Sequence, residues 1–513
     1  MTTVSRREML SLTAGLAALG LVPAWAQEAP EPVGVTLGPA AAFDPEMVVA
    51  RARTLAASRY VPPPPVSPEW LDLTYDQFRG IWFDTRHTLF RNTGGAVQVE
   101  FFAAGLYYPY KIALNAVQDR QARQIRFEKR VFKTGATLPD LPDDGTGFAG
   151  FRLLGEVVEP GLFQEYAAFL GASYFRAISR DMAYGVSARG LALNTAADGP
   201  EEFPIFREFW IQAAYHGDQA ITLHALLDSP SCTGAFRFVL TPGETTTVDV
   251  VARLFPRTAL DRVGIAPGTS MFLFNDLNRT RFDDFREAVH DSDGLLMVNG
   301  AGETLWRPLT NPRALEISMF GDTSPRGFGL MQRSREGRDY NDLVAHYERR
   351  PSLWVEPVGD WGPGAVMLVE IPTDKEINDN IVAFWRPAEP LKAGVEHRFD
   401  YRLYWCATSP AEGAVAPVIA SRTGARVFED GRIFAIDYAA HPALGSDPTR
   451  IEARVTTSAG RISAHLLQKN PATGGLRLDF TLKGDPPVAE LRAELWRGGQ
   501  RVAETWLNRW VAP

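Results

Sequence analysis

Acid–base chemistry is what this sequence is best stocked for. It holds 61 Asp and Glu, together with 12 Trp, 14 Tyr and 30 Phe. Carboxylates and Arg pair with sugar hydroxyls, and Trp and Tyr offer flat apolar faces with a polar edge. Glycoside hydrolysis needs one carboxyl as acid and one as base, with no metal or cofactor. Other chemistries lack their parts. The eight His are scattered with no His-x-x-x-His spacing, so no metal site is expected. Asp291-Ser292-Asp293-Gly294 hints at a calcium loop, but its Gly comes too early and no Glu closes it. GVSARG, residues 185–190, misses G-x-S-x-G because Arg189 stands at the second Gly. Phosphate-cradling glycine loops are absent, and no cofactor is expected. The residues point to an unassisted carbohydrate enzyme or a carbohydrate-binding module, and composition does not say which carboxylates would work.

These side chains must be positioned by a large framework. A chain of 513 residues is long enough for more than one core, and 45% hydrophobic with 22% charged residues is ordinary for a globular protein. The net charge of −8 offers no cationic footprint for a phosphate backbone, which excludes a nucleic-acid partner. The abundant aromatics read first as the filling of a large β-rich core. Cys232 and Cys406 are too few for a structural zinc site. Both lie in strand-like apolar surroundings, which favours buried free thiols, although pairing is open at this level.

The N-terminus reads as an export signal. Arg6 and Arg7 precede an apolar run from Met9 to Val22, and Ala24-Trp25-Ala26 supplies an A-x-A cleavage site. The run is shorter than the ~20 residues that span a bilayer, and no later stretch qualifies. The paired arginines resemble a twin-arginine leader. Residues 27–41, rich in Pro, Ala and Gly, read as a loose leader. Asp44 and Pro45 open a helix with Met47, Val48 and Leu55 on one face. Thr74 caps a second helix carrying Phe78 and Trp82. From about Gln98 the period becomes two: Val248, Val250, Ala252 and Leu254 share one face, with Asp249 and Arg253 on the other. REAVHDSDG and NDLVAHYERR each have room for a helical turn or two. Gly and Pro punctuate often, as in an antiparallel sandwich. After a linker at 411–419, alternation at Ile451–Val455, Leu476–Leu482 and Leu491–Leu495 reads as a small immunoglobulin-like sandwich.

Ten strings in fixed order identify a family. They are GFAGFR (147–152), FLGASYFRA (169–177), YGVSARGLALNT (184–195), GIAPGTSMFLF (264–274), VHDSDGL (289–295), RPLTNP (307–312), GFGLMQR (327–333), RRPSLWVEP (349–357), EIPTDKEINDNIVAFW (370–385) and ETWL (504–507). From about residue 44 to the end the chain resembles the OpgG/OpgD (MdoG/MdoD) proteins of osmoregulated periplasmic glucan biosynthesis. The resemblance implies an all-β fold: a large galactose-mutarotase-like β-sandwich, then a smaller immunoglobulin-like one. Its boundaries would be a signal at 1–26, a large domain with a glucan cleft at 27–410 and a C-terminal domain at 411–513. It also implies a periplasmic location and action on β-1,2-linked glucan, with or without β-1,6 branches. Some members are similar to inverting endo-β-1,2-glucanases, and others transfer the chain to a sugar hydroxyl. Contact with a membrane glucan synthase follows from the same resemblance.

Residue by residue, the resemblance puts the general acid on Asp379, the general base on Asp291 and a supporting carboxylate on Glu376. Tyr347 and Arg350 would hold sugar, and Trp306 and Trp354 are candidate cleft walls. Glu376 and burial beside Trp385 are expected to raise the pKa of Asp379. The structural alternatives are a turn at Asp379-Asn380, a loop-capping role for Asp291 and core packing for both Trp residues. A non-catalytic glucan-binding or assembly protein is the competing function, and a two-sandwich adhesion protein the unrelated one. After SRTG (421–424) the chain lacks the long Trp-containing insertion of OpgD-type members and is short, as OpgG-type members are, while its leader is OpgD-like.

Overall fold

The structure is a computed structural model that describes residues 33–214 and 217–512. The export signal, residues 1–26, lies outside the described residues. The fold is nearly all β. A 10-stranded sheet runs in the order Glu316–Thr323, Pro363–Glu370, Ile381–Pro387, Val263–Ser270, Ser187–Arg189, Tyr174–Ala177, Gln164–Leu170, Phe148–Gly155 and Val97–Ala103, with Ala192–Leu193 beside Val263–Ser270. A 16-stranded sheet packs against it.

The period-two reading is realised in the strand Thr246–Pro256. Val248, Val250, Ala252 and Leu254 are buried. On the other face Asp249 sits directly opposite Arg402 and accepts two hydrogen bonds from it, at 2.6 and 3.0 Å. Phenylalanines fill the space between the sheets: Phe151 stacks on Phe169 at 5.1 Å, Phe169 on Phe175 at 5.0 Å, and Phe209 and Phe238 meet Phe169 edge-on. Most of the aromatic surplus is therefore core.

Both helix starts behave as read, with differences in what the helices carry. Asp44 accepts from the Glu46 N–H at the head of Pro45–Ala56, which buries Val48, Val49 and Ala52 and keeps Met47 and Leu55 at the rim. Thr74 and Gln77 form a capping box on Tyr75–Arg79. That helix ends at Gly80, so Trp82 falls on the strand Ile81–Phe83 and is exposed. The supposed loose leader contributes an edge strand, Leu37–Ala42, antiparallel to Gln121–Ile125. Its register slips between Leu37 and Ala40, around Pro39, and a sheet edge tolerates proline because that side needs no ladder N–H. REAVHDSDG forms the short strand Val289–His290 rather than a helix, and NDLVAHYERR keeps one 3₁₀ turn, Tyr347–Arg349.

Toward the C-terminus, Val418–Ala425, Arg432–Tyr438, Leu476–Lys483 and Arg461–Lys469 make a separate four-stranded sheet. It faces Glu452–Thr457, Val488–Arg497 and Thr505–Val511. Those three strands continue the 16-stranded sheet, because Thr505–Val511 pairs in parallel with Thr304–Pro308. Phe434 and Phe480 stack at 5.2 Å beside the fully buried Trp506. The same core holds Leu296, Trp306, Met331 and Trp354 from the larger body.

Cys232 and Cys406 are free and buried. Cys232 pairs with Pro256 and the neighbour of Cys406, Trp405, with Thr246, at opposite ends of the strand Thr246–Pro256. Ten residues of strand separate them by roughly 33 Å, against the ~6 Å a disulfide needs.

Candidate functional site

The string His290-Asp291-Ser292 is threaded through the interior. His290 stacks on Phe272 at 5.5 Å and meets the Gln332 amide oxygen at 3.0 Å, while Ser292 and Ser270 share a hydrogen bond of 2.8 Å. The Asp291 N–H donates to the Met271 carbonyl at 2.8 Å. With its backbone fixed on both sides, Asp291 is 4% exposed. Loop capping falls to its neighbour: the Asp293 carboxylate accepts from the N–H groups of Arg333 and Ser334. The Asp291 carboxylate instead accepts a hydrogen bond from Arg350. Burial, helped by the charges of Asp379 and Glu376 and opposed by Arg350, raises the pKa of Asp291 to about 7.

Asp379 lies in the loop between Pro363–Glu370 and Ile381–Pro387. The buried Asn380 clamps that loop: its amide oxygen accepts from the Phe272 N–H at 2.8 Å, and its NH₂ donates to the carbonyls of Phe272 and Ile371 at 3.0 and 2.9 Å. Asn380 thus performs the turn-building role, and the Asp379 carboxyl keeps no hydrogen bond or ion pair among the described residues. By area Asp379 is an exposed residue. Its carboxyl nevertheless sits among crowding atoms, and this loss of water raises its pKa against the pull of Arg189, Arg176 and Arg350. The direction fits a concave setting, where a group keeps some surface yet loses most of its hydration.

Glu376 does not act on Asp379 as the sequence suggested. It accepts from Arg286 at 2.6 Å, and its charge is felt by Asp291 and Tyr347. Arg286 also holds Asp284 at 2.8 Å and Asp342 at 2.9 Å. Asp342 in turn accepts from the N–H groups of Val344 and Ala345, at 2.7 and 2.8 Å. That loop turns through His346, φ 50°, into Tyr347–Arg349. The turn delivers Arg350 over the Tyr347 ring at 4.5 Å and onto Asp291. One chain of charge-assisted bonds therefore ties the Glu376 loop to the Asp291 loop.

Sequence reasoning missed the cationic side of the site. Arg189 lies over Tyr174 at 4.7 Å and pairs with Glu201 at 2.7 Å; Arg176 lies over Tyr184 at 4.5 Å. Tyr184 donates to Glu165 at 2.9 Å, and Arg152 pairs with the same Glu165 at 3.0 Å. Arg152, Glu165, Tyr174, Arg176 and Arg189 come from neighbouring strands of the 10-stranded sheet, and with Tyr184 and Glu201 from the adjoining loops they extend away from Asp379 as a band of Arg, Tyr and Glu. The one available signal was Arg189 itself, the residue that broke the G-x-S-x-G pattern.

Trp306 and Trp354 do not line this region. They are 3% and 2% exposed, inside the core shared with the C-terminal strands. Trp306 lies beneath Arg333 at 3.7 Å, and Arg333 pairs with Glu504 at 2.6 Å. Neither ring has a free face for sugar. Tyr347 is also buried, but its phenol senses Glu376, Arg350 and Asp291, and burial raises its pKa. Among the described residues no group of His, Cys, Asp and Glu is arranged to hold a metal ion, and no helix is long and apolar enough to cross a membrane.

The arrangement brings together two carboxyl groups of raised pKa, and the charge of Asp379 is felt at Asp291. One is buried against an Arg, and the other is presented on a clamped loop. Such a pair can divide proton donation and proton acceptance between its members. A family model described as periplasmic glucan biosynthesis protein, MdoG, matches residues 43–510. A glucans biosynthesis protein G of Vibrio cholerae serotype O1 is 48% identical, covering 91% of this chain and 87% of its own. The protein of that name from Rhodopseudomonas palustris (strain BisA53) is 44% identical over 99% of this chain and 100% of its own. One from Shewanella sp. (strain ANA-3) is 47% identical over 91% and 87%.

Proposed function

Because the chain belongs to the MdoG family of periplasmic glucan biosynthesis proteins, we propose that it acts on β-1,2-glucan backbones as an inverting glucanase or transglycosylase. It is a periplasmic protein of glucan biosynthesis. The observation that carries the finer reading is that Asp291, buried against Arg350, also feels the charge of Asp379, and both carboxyls have raised pKa values. Asp379 donates its proton to the glycosidic oxygen as the C1–O bond breaks. Asp291, its anion supported by Arg350, takes the proton from water or from an acceptor hydroxyl as the new C1–O bond forms on the opposite face. Asp291 is the deeper of the two, so the proton reaches it through an intervening hydroxyl or water. The Arg, Tyr and Glu band beside Asp379 supports several sugar units. Glu376 holds the acid loop through Arg286.

The reading includes residues 1–26 as a twin-arginine-like signal, 411–513 as a unit that borders or braces the cleft, and contact of the protein with a membrane glucan synthase. The relatives' names and the short hairpin after residues 421–424 favour the OpgG type. The hairpin also favours a second reading, a non-catalytic glucan-binding protein. Val418–Ala425 and Arg432–Tyr438 are joined by only six residues, with the Arg426 N–H donating to Gly431, and a short connection leaves water poorly controlled in a cleft. Incubation of the mature chain with linear β-1,2-glucan decides between them. Chain shortening or transfer that Asp379→Asn and Asp291→Asn each abolish, with glucan binding retained, supports catalysis. Unchanged glucan length at high protein concentration leaves binding alone.

A further inference from the structure

Away from the carboxylate pair, a cavity of about 640 Å³ lies between the loop around residues 277–281, the segment 310–316 and the C-terminal strands. Four arginines, Arg281, Arg313, Arg432 and Arg509, line it with a single acid, Glu316. In a chain of net charge −8 this is a local reversal of sign. The acid is already engaged, because Glu316 lies 3.8 Å from Arg509, which has Glu490 at 3.6 Å as well. Arg281, Arg313 and Arg432 have no carboxylate partner among the described residues. Arg281 donates to the Asn311 carbonyl and Arg432 to the Thr423 hydroxyl at 3.0 Å. Burial lowers the pKa of Arg281, the like charge of Arg313 lowers it further, and burial lowers that of Arg432. Arg281 and Arg313 are like charges close enough to act on each other, and Arg432 lines the same cavity, none of the three paired with a carboxylate among the described residues.

Two further observations concern the wall. Asn508, 5% exposed, lines the cavity with an amide oxygen that has no hydrogen-bond partner, and the amide nitrogen of Asn278 has none either. The half-buried Trp510 lines the same space, with the Arg432 guanidinium 4.4 Å from its ring centre. Guanidinium groups recognise phosphate and carboxylate through paired N–H donors. An indole and unpaired amides serve a ligand that also has an apolar face and hydroxyls. The volume suits one or two sugar rings. A bare anion would leave the indole and amides unused.

We propose that this cavity binds a saccharide carrying an anionic substituent, with the anion on Arg281, Arg313 and Arg432 and the ring against Trp510 and Asn508. The anionic half stands on the arginines; the saccharide half rests on the glucan reading given above. Isothermal titration of the mature chain at low salt, with glucose 6-phosphate as the probe, tests it. Glucose 6-phosphate should bind at least tenfold more tightly than inorganic phosphate, with no heat from glucose. Arg313→Ala, at an exposed position, and Arg432→Ala should each weaken it tenfold or more, and Asp379→Asn should leave it unchanged. Equal affinity for inorganic phosphate, tighter binding of AMP, no heat from the probe, or loss in Asp379→Asn would each overturn the assignment. If β-1,2-glucan is neither bound nor altered yet Arg313-dependent binding of the probe persists, the glucan reading falls and this one stands.

Discussion

Asp291 carries an ionisation that opposes folding. Its pKa rises from 3.8 to about 7, so the folded chain holds this proton more tightly than the unfolded chain does. Stability from this group therefore falls as pH rises between about 4 and 7 and is level above that. At ~1.36 kcal/mol per unit the loss approaches ~4 kcal/mol as an upper bound. Urea unfolding at pH 5 and pH 8 should show the native chain losing stability while Asp291→Asn changes less. Identical pH dependence in both would refute a buried, titrating Asp291. Arg350 pulls the same pKa down, so Arg350→Gln should move it above 7 and shift the acid limb of the pH–rate profile to higher pH. A limb that stays in place, or moves down, would separate Arg350 from Asp291. Asp291, Asp379 and Glu376 could be named as candidates from the resemblance because each sits inside a contiguous string. Arg176, Arg189 and Arg286 were not, since their partners lie far away in the chain and no local pattern distinguishes a site arginine from a surface one.

Loops here are held by buried polar side chains rather than by length or rigidity. Asn380 makes three hydrogen bonds to backbone groups of Phe272 and Ile371, and an unsatisfied buried partner costs ~1–3 kcal/mol. Asn380→Ala should lower the melting temperature and reduce turnover at least tenfold, though Asp379 is untouched. Full turnover in a destabilised Asn380→Ala protein would mean that the clamp does not aim the acid. Helix starts were readable from caps, because Asp44 and Thr74 satisfy N–H groups within their own turn. The segment around Asp291 was harder: its conformation is set by Ser270, Phe272 and Gln332 across the interior.

At the scale of the molecule, alternation revealed strands but not their order. Parallel pairing of Leu305 with Thr505 and of Trp306 with Trp506 joins segments about two hundred residues apart into one sheet, and no periodicity encodes that. It follows that a chain ending at residue 410 should not fold. It would expose Leu296, Trp306, Met331 and Trp354, all buried with the C-terminal strands. At ~1.5–3 kcal/mol for each large side chain, that loss matches the ~5–15 kcal/mol that keeps a domain folded. Expression of residues 27–410 should give aggregated material. A soluble product with a cooperative melt would show that the larger body is self-sufficient. The two cysteines have a different consequence. Burial pushes both thiols up to about 12 and suppresses the reactive thiolate, so in the finished fold both cysteines are shielded from oxidants. The unfolded chain has no such protection, and an oxidising compartment can join Cys232 to Cys406 across a span the native sheet forbids. Such a cross-link is a kinetic dead end. For this molecule the order of events matters: a chain that folds before it meets an oxidant is safe, and one that meets the oxidant first must be reduced before it can fold.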